Sequence, residues 1–368
     1  MPPPGGLVCV ILAGGSGTRL WPLSRKGRPK HLLPLAPDGR SLLRHAFERA
    51  GQLGGEVLVV TAKAQLAQVE AELPDLSPGH LLLEPEPRGT GPALAWAALE
   101  ALRLAPDPVM ISLHADHYIP SQEEVTRVLL SAAWWARQAD LLVSVGLVPS
   151  FPATGFGYLE AAEELPRPHL PEQVLPLRRA LGFVEKPSRQ RAEEMLAQGD
   201  FLWNTGLFSW PAQLLLSEME RLAPEVLTAV RAAVEVEEKG GGGFAAAWGQ
   251  VPQGVVERLV LERSDRLGVL ATELPWSDLG SYADLQQVAA SAGGADRDGN
   301  VVRGEVLLPS SQGCFVDSAS GRMVVVVGAS GLVVVDTEDA VLVCPLDKVQ
   351  ELTSVVAQLH DAGRDDLL

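Results

Sequence analysis

With 368 residues, 46% of them apolar and 21% charged, the chain can bury one large core and a smaller one as a soluble globular protein. A formal charge of −16 at pH 7, with no basic stripe after residue 37, argues against nucleic acid as a partner. No apolar run approaches the roughly 20 residues that span a bilayer, and the opening MPPPGG is neither basic nor followed by a cleavable apolar segment, so neither a membrane nor a secretory route is expected.

In chain order, LVCVIL (7 to 12) is a short apolar run that ends at Gly14 and Gly15, which predicts a buried parallel strand entering a loop. SLLRHAFERAG (41 to 51) has helical spacing and EVLVVT (56 to 61) predicts the next strand, which makes a βαβ unit. The alternation continues with helices near 63 to 73, 90 to 104 and 121 to 139, and strands near 80 to 83, 108 to 113 and 141 to 147. This period predicts a Rossmann-like, doubly wound α/β sheet.

From Thr154 the rhythm changes to GFGYLE, ALGFVEKP and WNTGLFSW, with helical stretches near 188 to 198, 211 to 238 and 255 to 263. KGGGG (239 to 243) reads as a flexible joint inside this region. A strand near 267 to 271 and a short helix ending at Ser291 lead to SAGGADRDGN (291 to 300), the best linker. The expected domains are therefore 1–292 and 298–368. The second, with short Val-rich strands, turns every 8 to 12 residues and a closing helix near 346 to 360, reads as an all-β module of sandwich, barrel or short β-helix type.

Cys9, Cys314 and Cys344 lie in apolar runs without paired spacing, so reduced core cysteines and a cytoplasmic location are expected. Arginine outnumbers lysine 24 to 6, which singles out Lys30 and Lys186 as positions that favour a compact ammonium. The first 37 residues carry five cations (Arg19, Arg25, Lys26, Arg28, Lys30) and no acid, which leaves the rest of the chain at −21 by difference. This local reversal follows GGSGTR. That loop is neither a P-loop nor the dinucleotide pattern, which would need a glycine where Leu20 stands. Glycine still allows close backbone approach to a ligand, and free amides with Arg19 and Lys30 suit phosphate.

LAGGSGTRLWPLSR followed by PKHLLPL resembles the signature of the sugar nucleotidyltransferases, and its LWPLSR form resembles the mannose-1-phosphate guanylyltransferases in particular. Matching pieces follow in the same order: EPEPRGTGPA (84 to 93), SLHADHYI (112 to 119), TGFGYLE (154 to 160), FVEKP (183 to 187), WNTGLF (203 to 208) and WSDLGSY (276 to 282). The C-terminal VVVDTEDAVLVCP run matches as well, so the likeness covers nearly the whole chain.

The resemblance implies that GTP and mannose 1-phosphate are the substrates and Mg2+ the cofactor. It casts Arg19 and Lys30 as the catalytic cations, and Leu12, Gly14, Gly15, Gly17, Thr18, Arg88, Thr90 and Asp116 as nucleotide-binding. Asp116 and Asp278 would hold the metal; Glu185 and Asn204 would meet sugar hydroxyls, Lys186 the sugar phosphate, and Gly157 would leave room for the hexose. Chemically the set is coherent, because attack of a sugar phosphate on the α-phosphorus needs alignment and charge neutralisation rather than a covalent intermediate. Trp203, Trp210 and Trp276 read as core or pocket wall.

Four departures stand out. Arg88-Gly89-Thr90-Gly91-Pro92 replaces the usual Arg-Asn-Thr-Ala-Pro, and His114-Ala115-Asp116-His117 replaces Pro-Ser-Asp-His. Both fall where a purine would be read, which leaves base choice more open than the chemistry. His31 stands for a common glutamine, and Val256-Glu257-Arg258 for Ile-Asp-Tyr. The sequence stops at Leu368 without the cupin-like isomerase domain of some relatives, so no isomerase activity is expected. A homodimer is expected to cover the apolar strands of the small module. Two alternatives stay open: a nucleotidyltransferase with another base or hexose, such as glucose 1-phosphate, and a non-catalytic regulatory subunit.

Overall fold

The computed structural model describes residues 6–15, 17–166, 171–240 and 242–368. Most of the MPPPGG opening, Ser16 of GGSGTR and Gly241 of the glycine joint lie outside the described residues. Two compact units form. One takes the chain up to Gly14, then Ala46–His114 and Ile119–Trp276; the other takes Gly15–His45, Ala115–Tyr118 and Ser277–Leu368. The 1–292 and 298–368 division follows chain order, whereas contacts place residues 15–45 with the C-terminal region.

The first unit is built on nine strands: β1 (Leu7–Ala13), β2 (Glu56–Ala62), β3 (Leu81–Glu84), β4 (Val109–His114), β5 (Leu142–Leu147), β6 (Tyr158–Glu164), β7 (Arg178–Val184), β8 (Phe201–Pro211) and β9 (Leu267–Thr272). Their order in the sheet is β3-β2-β1-β4-β8-β5-β9-β7-β6. All seven residues of β1 are buried, as a strand with both faces covered requires, and it runs parallel to β2 and β4. Register places Ala13 beside Thr61 and Ala62 beside Glu84, so the carboxyl ends of β1, β2 and β3 share one edge. Ligands bind at that edge in open α/β sheets. β8, eleven residues and wholly buried, runs antiparallel to β4, β5 and β6 and makes the sheet mixed.

The helical stretch expected over 211 to 238 is two helices, Ala212–Leu222 and Pro224–Glu238. Proline at 224 pushes Ala223 out of the helical region, to φ −144° and ψ 54°. The stretch at 255 to 263 holds a π-helical turn, Glu257–Leu261. Trp203 and Trp210 are buried as expected, and Trp210 stacks on Phe208 with ring centroids 5.0 Å apart.

In the second unit the Val-rich pieces are β10 (Val301–Arg303), β11 (Val306–Leu307), β12 (Phe315–Ser318), β13 (Val324–Val325), β14 (Leu332–Asp336) and β15 (Val341–Pro345). β10, β12 and β14 pair in parallel, as do β11 and β13; only β15 turns back. Parallel pairing between successive coils selects the short β-helix among the expected types. Phe315 and Val333 pack with Leu20, Trp21, Leu33 and Tyr282 in one apolar cluster. The Tyr282 hydroxyl donates to the Leu20 carbonyl at 2.8 Å, and Trp21 Nε1 to the Leu367 carbonyl at 2.8 Å. The signature loop is thus anchored to this module. Among the described residues no helix is long and apolar enough to cross a membrane.

Candidate active site

The second unit takes in Gly17, which has φ +65°, a conformation glycine adopts without strain. A β-carbon there would run into the stem of Lys30. That approach brings Lys30, only 4% exposed, against the loop. Its ammonium donates to Asp116 Oδ2 at 2.9 Å and to the main-chain oxygen of Asp278. Arg19 Nη2 lies 3.7 Å from Asp278 Oδ2. Gly280 donates its N–H to Asp278 Oδ1 at 3.2 Å, and a β-carbon at Gly280 would lie 2.8 Å from the other carboxylate oxygen and 3.0 Å from Arg19 Nη1. Gly17, Thr18, Arg19, Lys30, Asp116 and Gly280 line a cavity of about 200 Å³. Gly15 is exposed at the start of the same unit.

The five N-terminal cations divide. Arg19 and Lys30 face this cavity, whereas Arg25 makes two bonds of 2.8 and 2.6 Å to Asp339, and Lys26 Nζ lies 4.0 Å from Asp365. Burial pushes the Asp278 carboxyl up from its ordinary pKa, and the charges of Lys30 and Arg19 oppose that shift without cancelling it. The Asp116 carboxylate on the Lys30 ammonium and the under-compensated Asp278 carboxylate beside Arg19 are hard oxygen donors, and they fit a divalent cation held through a couple of protein oxygens, as Mg2+ commonly is.

In the first unit, Leu12 ends the buried run of β1 and Gly14 follows it. Glu84 closes β3, is 4% exposed, and accepts a long bond of 3.5 Å from the Arg88 amide. A β-carbon on Gly14 would come within 3.9 Å of Glu84 Oε2. Burial pushes the Glu84 carboxyl up to about 7. The Arg88 guanidinium is engaged with the Glu86 carboxylate and, at 2.6 Å, with the Gly249 carbonyl. Thr90 starts the helix Thr90–Leu104, and its Oγ1 accepts from the Val256 amide at 2.9 Å.

A second group in this unit brings Gly157, Glu185, Lys186 and Asn204 together. The Gly157 carbonyl accepts from Asn204 N at 2.8 Å, and a β-carbon on Gly157 would lie 2.7 Å from Phe183 Cζ and 2.8 Å from Glu185 Oε2. Lys186, in the left-handed region at φ +48°, donates to Glu185 Oε1 at 2.7 Å. Asn204 Oδ1 accepts from Ser144 Oγ at 3.0 Å and from Gly206 N at 3.2 Å, which among the described residues leaves its amide hydrogens for a ligand.

Glu84, Gly254, Gly280 and Phe183 were not singled out by the sequence. Glu84 carried a readable signal, a carboxylate at the end of the apolar run LLLE, where a solvated strand end and a ligand-facing edge look alike.

A glycine loop with a buried lysine and two acids beside it, together with a mixed sheet opening at the ends of β1 to β3, defines a nucleotidyl transferase: residues 8–293 match the nucleotidyl transferase family, and residues 304–359 the MannoseP isomerase/GMP-like beta-helix domain. A mannose-1-phosphate guanylyltransferase of Klebsiella pneumoniae is 34% identical over 98% of this chain and 75% of its own length. The alginate biosynthesis protein AlgA of Pseudomonas aeruginosa is 33% identical over 98% of this chain and 73% of its own. A crystal structure described as mannose-1-phosphate geranyltransferase from Thermus thermophilus superposes with a TM-score of 0.81 at 31% identity, covering 96% of this chain and 99% of that one. The chain belongs to the mannose-1-phosphate guanylyltransferase family.

Proposed function

We propose that the chain transfers a guanylyl group from GTP to α-D-mannose 1-phosphate, giving GDP-mannose and pyrophosphate, with the residues above in the following roles. A phosphate oxygen of mannose 1-phosphate forms the new bond to the α-phosphorus while the α–β bridge breaks and its electron pair leaves with pyrophosphate. The observation that carries this reading is the Lys30 ammonium shared between Asp116 and Asp278 beside the glycine loop. Lys30 and Arg19 neutralise the charge that grows on the leaving pyrophosphate, and the amides of Gly15, Gly17 and Thr18 bind phosphate oxygens. Asp116 and Asp278 hold Mg2+, which when bound neutralises the triphosphate and polarises the reacting phosphoryl group.

Glu84 supports guanine as the base. Guanine offers two donors side by side, N1–H and the N2 amino group, which an ionised carboxylate accepts together; adenine offers an acceptor at N1 and leaves such a carboxylate half unpaired. Leu12, Gly14, Arg88 and Thr90 shape the same end of the sheet. On the sugar side Glu185 and Asn204 meet hydroxyls, Lys186 exchanges Glu185 for the sugar phosphate, and bare Gly157 admits the hexose ring.

A cytoplasmic setting agrees with the free thiols, since burial pushes Cys9 up to about 12 and keeps it inert. A second copy of the chain is proposed to cover the outer face of β11 and β13, where Leu307 and Val325 pair in register and are 55% and 52% exposed. The reaction is tested by pyrophosphate release with Mg2+ and mannose 1-phosphate or glucose 1-phosphate, against GTP, ATP, UTP and dTTP in parallel. GTP with mannose 1-phosphate is expected to lead. Equal rates with ATP would remove Glu84 from its role, and silence in every combination would remove the activity.

A further inference from the structure

The loop that follows Glu84 is held by a segment more than 160 residues away in sequence. Trp248 Nε1 donates to the Glu86 carbonyl at 2.9 Å, Arg88 to the Gly249 carbonyl at 2.6 Å, and Gly254 N to the Arg88 carbonyl at 3.0 Å. In return the Gly91 amide donates to the Gly254 carbonyl at 3.0 Å, and Thr90 Oγ1 receives the Val256 amide. Five bonds therefore tie residues 86–91 to residues 248–256, all within the first unit.

Packing is as close as the bonding. Gly89 has φ +94°, and a β-carbon on it would run into the Gly254 carbonyl. One on Gly91 would run into Leu259 Cδ1, and one on Gly254 would lie 2.8 Å from Leu259 Cδ1 and 3.0 Å from Cδ2. Leu259 sits in the middle of the π-helical turn Glu257–Leu261. Such turns insert a residue into the helical path and recur at functional sites.

We infer that Leu259 and Gly254 are positioning residues for base selection: the leucine methyls and the Gly254 carbonyl occupy the volume that side chains at 89 and 91 would otherwise fill, and they set the path of the loop whose Arg88 amide bonds the Glu84 carboxyl at the end of β3. The departures at Gly89 and Gly91 are then filled by packing from 254 and 259 instead of leaving a loosened pocket. This inference rests on the reading that the 84–91 loop meets the base.

The test is a double-mutant cycle of Gly91→Ala and Leu259→Ala, with kcat and the KM for GTP and ATP measured at saturating mannose 1-phosphate, and the KM for mannose 1-phosphate measured at saturating GTP. Gly91→Ala is expected to lower kcat/KM for GTP roughly tenfold, because small misplacements of a binding loop are costly. The loss should fall on the KM for GTP and on the GTP to ATP ratio, with the KM for mannose 1-phosphate within about twofold of wild type. The double variant should recover most of the loss, since the obstructing methyl is gone, so the two effects would not add. Should Gly91→Ala fail to fold, Leu259→Ala alone still raises the KM for GTP severalfold and spares that for mannose 1-phosphate. Additive losses, or equal changes in both KM values, would overturn the inference while a GTP-selective wild type upheld the reading of the loop. A wild type that takes ATP as readily as GTP would overturn both.

Discussion

In the proposed reaction the cationic loop at 15–30 and the base loop at 84–91 recognise parts of one nucleotide by different physics. The first works through charge: a buried ammonium on the Asp116 carboxylate and a half-exposed guanidinium beside the Asp278 carboxylate. The second works through fit: a buried carboxyl with one long bond, two glycines that admit no β-carbon, and a backbone clamp from 248–256. Triphosphate is common to every nucleoside triphosphate, so charge suffices to bind it. A base differs from its rivals only in where donors and acceptors lie, so it must be read by fixed groups in a dry place.

Breaking the first region should cost turnover. Lys30→Ala is expected to lower kcat by about 10³-fold, the upper range for loss of one preorganised charge, with the thermal transition retained. Lys30→Arg should not rescue it, because the stem packs against the bare Gly17 and the site takes a compact ammonium. Single-turnover pyrophosphate release and a melting curve check both. Asp278→Asn comes next. It should weaken the apparent Mg2+ affinity by at least about 10- to 100-fold, read from a Mg2+ titration of the initial rate, while excess metal restores part of the activity.

Altering the second region should cost selectivity. Glu84→Gln is expected to cut the GTP to ATP ratio in kcat/KM by one to two orders of magnitude, the ~1–3 kcal/mol of a bidentate base contact. It carries a pH signature. Burial holds the Glu84 carboxyl at about 7, and in the proposed reading guanine needs the ionised form, so GTP would displace a proton when it binds at lower pH. Affinity for GTP should therefore be full above about 7 and weaken as the pH falls through 7, and Glu84→Gln should flatten that slope. The smallest effect is expected at the sugar. Gly157→Ala pushes a methyl against Phe183 and Glu185 and should raise the KM for mannose 1-phosphate severalfold, with the KM for GTP unmoved.

The same contrast explains what the sequence showed. Charge is written locally: five cations without an acid, an aspartate after PVMISL, and a glycine after LVCVIL point to Arg19, Lys30 and Asp116 without reference to any contact. Fit is written in pairs that the chain separates. Nothing near Gly89 announces that the carbonyl of Gly254 will fill the space of its missing side chain, and nothing near Glu84 distinguishes a solvated strand end from a buried carboxyl. Arg88 has a readable charge, yet its guanidinium holds Gly249. The βαβ rhythm gave the parallel half of the sheet, but the antiparallel insertion of β8 depends on pairings with β4, β5 and β6 that no periodicity encodes. Pro224 was visible throughout, and its effect on Ala223 splits a stretch that apolar spacing alone reads as one helix.

The most direct test of this separation of labour is kcat at saturating nucleotide and the GTP to ATP ratio of kcat/KM, measured side by side for wild type, Lys30→Ala and Glu84→Gln. Lys30→Ala should lose turnover and keep the preference for GTP, whereas Glu84→Gln should lose the preference and retain most turnover with GTP. If Lys30→Ala abolished the preference, or Glu84→Gln left it intact, charge and fit would not be divided between these two loops.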